Sequence, residues 1–323
     1  MTRVVAGIDI GGSKVLAVVL DERRDVVASV RLPTSIGAEG VVRSGAEALR
    51  QLAQQIDVRA EDFTVVGVGV PGLVEVGSGH VSHAVNLGVG GALALGPELS
   101  RRLGVPVVVE NDVKAAALGA AQLLGLEDAD LAFLSIGTGL AAGLVTGGQV
   151  RRGARGAAGE IGHVSIDPEG PVCRCGQRGC LETFASGTAI AAAWPALNGE
   201  PPAASLFAAA AAGDSRAVRV RDTFADHVAS AVRLLVLTCD VEVVVLGGGV
   251  TNVGSALLDC VVLALQRQAA TSPFLATLNL PARVAVVPVG SAMGAVGAAL
   301  SGLAAFTSGD TARRRSDDGD RPA

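Results

Sequence analysis

VVAGIDIGGSKVLAVVL, residues 4–20, decides how the chain is read. The apolar run from Val4 to Asp9 predicts a strand, Ile10-Gly11-Gly12-Ser13 a tight turn, and the β-branched run from Lys14 to Leu20 a second strand. The Walker A loop and the dinucleotide fingerprint both need a helix directly after their glycines, so that the helix N-terminus faces the phosphates. A strand follows here, and both readings fail. What remains is a glycine hairpin with the parts a phosphate tail needs. Gly11 and Gly12 let backbone N–H groups approach closely, Ser13 adds a hydroxyl, Lys14 a cation, and Asp9 ends the strand. An ordinary hairpin turn with a solvated lysine would read the same way.

Working outward, the pattern recurs at LAFLSIGTGLAAGLV. Leu131 to Ile136 enters, Gly137-Thr138-Gly139 turns, and an apolar strand leaves, which suggests two similar lobes. Between the copies lie a strand over 65–72 running into Pro71-Gly72 and a strand ending at Asp112, followed by an Ala-rich helix from Val113 to Leu124. Helical patterns near 217–237 and 255–268 flank VEVVVLGGGV, where a buried-type strand meets Gly247, Gly248 and Gly249. Alternation of strands and helices makes this an α/β protein. From Thr307 the sequence is polar, mixed in charge and without periodicity, and reads as a solvated, disordered tail over 307–323.

The chain has 323 residues, half of them apolar and 18% charged, enough for about two domains with buried cores. No apolar run reaches the ~20 residues of a spanning helix. Asp9 and the paired glycines interrupt the hydrophobicity that a secretory leader would need, so the expected location is the cytoplasm, with no membrane partner. A net charge of −5 offers a polyanion no global attraction, and 2% aromatics leave few stacking platforms, so nucleic acid is not expected as a partner. With Trp194 as the single Trp and no Tyr, a bound sugar would be held through its hydroxyls.

Glu110-Asn111-Asp112 sets a carboxylate where a strand ends and a helix begins. Asp112 is the candidate general base, although aspartate is also a preferred helix N-cap. The most specific signal is Gly159-Glu160-Ile161-Gly162-His163 followed by Cys173-Arg174-Cys175 and Cys180-Leu181-Glu182. His163, Cys173, Cys175 and Cys180 match a closed tetrahedral Cys₃His zinc site, structural because four protein ligands leave no open position. Reduced, unliganded thiols are the alternative, and a disulfide is the weaker one. Cys239 and Cys260 lie on apolar helical stretches and read as small core residues. Glu160 and Glu182, at the margins of the metal loop, could grip sugar hydroxyls by charge-assisted hydrogen bonds or lie at the surface. Arg151, Arg152 and Arg155 read as a solvated edge.

In order and spacing, DIGGSK, VPG, ENDVKAAALGA, IGTG, GAAGEIGH, CRCGQRGCLE and LGGGV resemble the ROK (repressor, ORF, kinase) family, especially its bacterial glucokinases, over residues 4–300. The resemblance implies the two-lobed ribonuclease-H-like fold of actin and hexokinase. A small lobe would span 1–111, a large lobe carrying the zinc loop 112–291, and a last helix near 292–306 would return to the small lobe, with ATP in the cleft. It implies ATP-dependent phosphorylation of a hexose 6-hydroxyl with Asp112 as base. Asn111, Asp112, Glu160, His163 and Glu182 would take the sugar. Asp9, Gly11, Gly12, Ser13, Lys14, Thr138, Gly139, Gly248 and Gly249 would take ATP with Mg²⁺, and His163, Cys173, Cys175 and Cys180 structural Zn²⁺. A homodimer or homotetramer is implied as well. With the first motif at residue 9, the N-terminal helix-turn-helix of the family's repressors is not expected.

Several positions depart from the family pattern. Lys114 stands where Asn is common and would add a cation near the sugar. Ala141 and Ala142 add methyl groups after the second glycine hairpin, which would crowd it. Residues 86–91 lack the Pro-Gly-Trp of many glucokinases, which makes a kinase for an amino- or N-acyl-hexose the alternative to a glucokinase. The alternative from another class is a sugar sensor without catalysis, and a zinc hydrolase conflicts with the filled metal shell.

Overall fold

A computed structural model describes residues 4–196 and 199–318 of the chain, which divide into two compact units. The first runs to Gly125 and adds Arg152–Gly156 and the chain from Ala292 on; the second comprises Leu126–Arg151 and Ala157–Ser291.

In the first unit, β1 (Val5–Ile10), β2 (Lys14–Leu20) and β3 (Val26–Pro33) form an antiparallel meander, followed by α1 (Ala38–Gln55). Then come β4 (Val65–Val70), the small hairpin β5 (Leu73–Glu75) and β6 (His80–Ser82), α2 (Leu95–Leu103), β7 (Val107–Asn111) and α3 (Asp112–Leu124). The sheet order is β3-β2-β1-β4-β7, with β4 parallel to β1 and β7 parallel to β4. Every residue of β4 is buried, so it carries no polar alternation.

The second unit repeats the plan. A hairpin of β8 (Leu131–Ile136) and β9 (Leu140–Thr146) is extended by β10 (Gln149–Val150). After the metal loop come α4 (Gly187–Ala193), α5 (Pro202–Ala211), α6 (Ser215–Cys239), β11 (Val243–Gly247), α7 (Ser255–Ala270), α8 (Pro273–Thr277) and β12 (Val284–Val286). The order is β10-β9-β8-β11-β12, with β11 parallel to β8 and β12 parallel to β11. Two sheets of five strands, each with a glycine hairpin leading into parallel strands, are the duplicated architecture anticipated from the two glycine motifs.

The last helix, α9 (Met293–Asp318), packs on the first unit. It forms a core with β1, β2 and β4 through Val5, Val18, Val65, Ala295, Val296 and Ala299. The approach is close enough to need glycine on both sides. A Cβ at Gly7 or Gly67 would collide with the α9 backbone at Ala295 or Ala298, and one at Gly119 or Gly297 would collide where α3 crosses α9.

Three expectations change. The last helix runs to Asp318 instead of ending near 306, so the polar stretch read as a solvated tail is helical backbone at least that far. Its residues include good helix formers and no proline before Pro322. Residues 319–323 lie outside the described residues. The division falls after Gly125 and not at 111, because α3 packs against α9, β4 and β7 and stays with the first unit. Cys260 is buried but Cys239, the last residue of α6, is exposed. Among the described residues no helix is long and apolar enough to cross a membrane.

Candidate active site

In the first unit the turn between β1 and β2 is closed by the Gly11 N–H donating to the Lys14 carbonyl at 3.0 Å. It is braced from β3 by the Thr34 hydroxyl, which donates to the Gly11 carbonyl at 2.7 Å. Gly12 packs against the backbone of Asn86, which sets the 86–91 segment beside this turn. Gly11 is half-buried, and Gly12, Ser13 and Lys14 are exposed. Asp9 sits at the end of β1. Withdrawal from water and then the charge of Asp112 push its carboxyl up to about 7, against the opposing pull of Lys14. The first glycine turn and the candidate base therefore act on one carboxylate.

Asp112 is the first residue of α3, but it is not the cap. Asn111 caps the helix, its Oδ1 accepting from the N–H groups of Val113 and Lys114, each at 3.1 Å. These two bonds to Oδ1 and one from Nδ2 to the Gly72 carbonyl at 3.2 Å fix this side chain, leaving one amide hydrogen for a hydroxyl. The Asp112 carboxylate accepts from the Val113 N–H at 2.9 Å.

Two interactions near this strand end were not foreseen. Glu110, 1% exposed, accepts from Arg152 Nε at 2.8 Å and Nη2 at 2.6 Å on the same Oε2. Arg152 is thus an ion-pair partner and not a solvated edge. Lys114 is buried, and its ammonium donates to the Gly156 carbonyl at 2.9 Å. The short segment Arg152–Gly156 is held to β7 and α3 at both of its ends. A glutamate directly after the three valines of β7 was the sequence signal for the first contact; for the second there was none.

In the second unit His163, Cys173, Cys175 and Cys180 converge, with their ligand atoms all within 4.8 Å of one another. The Cys173 Sγ to His163 Nδ1 distance is 3.7 Å and Cys175 Sγ to Cys180 Sγ 3.6 Å. A tetrahedron with ~2.3 Å zinc–sulfur bonds has edges of about 3.8 Å, so these residues fit zinc. The sulfurs are too far apart for a disulfide, whose S–S bond is about 2 Å. A turn closed by the Gly176 N–H on the Cys173 carbonyl, with Gly176 at φ 92°, folds the knuckle. Gln177 supports it by donating to the His163 carbonyl at 3.2 Å and to Cys175 Sγ at 3.4 Å. Backbone and then side-chain hydrogen bonds from Gln177 bring the Cys175 thiol down to about 6, toward the thiolate a metal needs. Gln177 was not singled out from the sequence.

The segment that follows the knuckle braces the second glycine hairpin. Glu182 Oε2 accepts from the Leu140 N–H at 2.9 Å, the Gly187 N–H donates to the Gly137 carbonyl at 2.7 Å, and the Thr188 hydroxyl donates to the Thr138 carbonyl at 2.7 Å. Gly248, at φ 91°, packs against the backbone of Ile136, next to the same hairpin, and a Cβ there would collide; Gly249 follows it. The loop bearing Glu160 lies along β9, where the Ala142 N–H donates to the Gly159 carbonyl at 2.7 Å. Ala141 and Ala142 are residues of β9, with Ala142 buried, so their methyl groups belong to the strand and not to the turn. The structure therefore gathers Thr138, Gly139, Gly248, Glu182 and the knuckle in one unit, and Asp9, Gly11 to Lys14, Asn111 and Asp112 in the other.

The model of the ROK family matches residues 5–302. The chain belongs to the ROK family. It is 34% identical over 272 residues to a glucokinase of Halalkalibacterium halodurans, covering 78% of this chain and 82% of that one. It is 35% identical over 243 residues to an N-acetylmannosamine kinase of Citrobacter koseri, covering 75% and 82%. A ROK family glucokinase from Streptomyces griseus, solved in complex with glucose and AMPPNP, superposes with a TM-score of 0.75 at 31% identity over 93% of this chain and 99% of that one. The fold of this ROK protein is the ribonuclease-H-like one of actin and hexokinase, as the duplicated hairpin sheets require.

Proposed function

We propose that this ROK protein is an ATP-dependent hexose 6-kinase with glucose as its favoured acceptor. The observation that carries the reading is that Asp9, beside the cationic glycine turn, pairs in register with Gly69 of β4, and Gly69 packs against Asp112, a proton acceptor just beyond β7. Asp112 takes the proton of the sugar 6-hydroxyl while that oxygen attacks the γ-phosphorus in line and the bond to the leaving ADP breaks. The N–H groups of Gly11 and Gly12, with Ser13 and Lys14, receive phosphate oxygens, as do Thr138 and Gly139, and Gly248 and Gly249 face the nucleoside. Asn111, Glu160, His163 and Glu182 orient the sugar hydroxyls. Bound zinc, with four protein ligands, supplies shape and no open coordination position. Asp9 is an oxygen donor of the type that Mg²⁺ takes, and the ion would neutralise charge on the phosphate oxygens.

The glucokinase relative and the Streptomyces griseus complex support ATP and glucose. A kinase for N-acetylmannosamine or another amino- or N-acyl-hexose is the second reading, favoured by a relative of nearly the same identity bearing that name. A cytoplasmic homodimer or homotetramer is part of the proposal. The deciding experiment is ADP release coupled to a reporter across glucose, mannose, fructose, N-acetylmannosamine, N-acetylglucosamine and 3-aminoglucose. The highest kcat/KM is expected on glucose. A maximum on N-acetylmannosamine would select the second reading, and no turnover on any sugar would leave a sugar sensor.

A further inference from the structure

Glu182 is placed to serve more than the sugar. Three successive contacts from the segment just after the metal ligand Cys180 fix the turn between β8 and β9, reaching Leu140, Gly137 and Thr138 in turn. Only the Glu182 contact is made by a charged group, and charge-assisted bonds are roughly twice as strong as neutral ones. It also acts on the first amide beyond Gly139, where the turn closes, and a Cβ at Gly139 would displace the Glu182 carboxylate. Glu182 follows the metal-ligand candidate Cys180 by two residues, so its carboxylate links the chain leaving the knuckle to the hairpin.

We propose that Glu182 is a positioning residue for the nucleotide: it ties the metal knuckle to the second glycine hairpin, so that affinity for a nucleoside diphosphate depends on Glu182 even with no sugar bound. The inference rests on reading Gly137–Gly139 as a phosphate hairpin. A carboxylate that served only sugar hydroxyls would have no influence on nucleotide binding in the absence of sugar. Glu182 retains Oε1 for a hydroxyl while Oε2 holds the Leu140 amide, so the two roles are compatible.

The test is calorimetric titration of ADP into the zinc-loaded full chain without sugar, with amide hydrogen exchange at Leu140 as a second readout. Glu182→Ala is expected to weaken ADP about tenfold and to speed exchange at Leu140 by a similar factor, the loss of one charge-assisted hydrogen bond. Glu182→Gln keeps an acceptor oxygen and should bind ADP within about twofold of wild type. Unchanged ADP affinity in a Glu182→Ala protein that retains its zinc would overturn the proposal, as would unchanged exchange at Leu140. If Glu182→Ala does not fold, Glu182→Asp, whose carboxylate is one methylene short of the Leu140 amide, takes its place. A severalfold loss of ADP affinity there would support the brace, and wild-type affinity with unchanged exchange at Leu140 would overturn it. Should the wild-type chain itself bind no ADP, the kinase reading fails on its own, and exchange at Leu140 still decides whether Glu182 holds the hairpin.

Discussion

Lys114, 3% exposed in the first turn of α3, donates its ammonium to the carbonyl oxygen of Gly156 at 2.9 Å. A cation at a helix N-terminus opposes the helix dipole, and a buried one needs a partner, so this bond answers both costs. The residue that the sequence suggested as a cation beside the sugar is an internal tie between α3 and the 152–156 segment.

Lys114→Met should therefore destabilise the protein by about 1–2 kcal/mol, the loss of a charge-assisted bond partly offset by an easier burial. The order of hexoses by kcat/KM should stay the same. Urea unfolding and the hexose panel check the two halves, and a reordered panel would return Lys114 to the surroundings of the sugar.

The Glu110–Arg152 pair is asymmetric, 2% against 38% side-chain exposure. Removing the arginine leaves a buried carboxylate without its counter-charge, whereas removing both charges does not. Arg152→Ala should cost about 1–3 kcal/mol, reduced from a fully buried pair because water reaches the arginine. Adding Glu110→Gln should restore part of it. A double-mutant cycle by chemical denaturation measures the coupling, and strict additivity would count against the pair.

Asp9 predicts a pH dependence whose sign is fixed. Its ordinary value of 3.8 is raised to about 7 in the fold, so between those values the native state holds a proton that the unfolded chain has released. The contribution of Asp9 to stability must fall as pH rises from about 4 to about 7 and level off above. Asp9→Asn removes that decline. The difference in urea midpoint between variant and wild type should grow in favour of the variant from pH 4.5 to pH 8. A difference independent of pH would refute the assignment.

Metal content is a separate prediction. One zinc per chain is expected by elemental analysis, and Cys175→Ser should lower it, with a lower melting temperature and a higher sugar KM together. A variant without zinc but with wild-type stability and KM would deny the knuckle its scaffold role.

Asp112→Asn should abolish turnover while sugar still binds by calorimetry. Near-wild-type turnover would remove Asp112 from the base position.

Hairpins were readable because each is local: the period of two and the glycines at 11, 12, 137 and 139 lie within one short window. The His/Cys cluster was readable because such ligand types are rare and three of its members fall within eight residues. The cap at Asn111 was not separable from Asp112, since both are good N-cap types and only backbone direction distinguishes them. The contacts of Lys114, Arg152 and Glu182 join residues 42 positions apart in each case, and no local pattern encodes such pairing. The helix past residue 306 was missed for the opposite reason, because a helix without an apolar stripe leaves no periodic signal.

The seating of α9 in the glycine-lined crossing with β1, β4 and α3 has a consequence for biogenesis. The segment before Leu126 belongs to a body completed by the chain from Ala292 on, which is made after the whole of the second unit has emerged. The nascent N-terminal half must wait with Val5, Val18 and Val65 uncovered, while the later-synthesised half already has every strand it needs. Order of assembly in this chain would then run against order of translation, and the waiting surface is where a chaperone would be most needed.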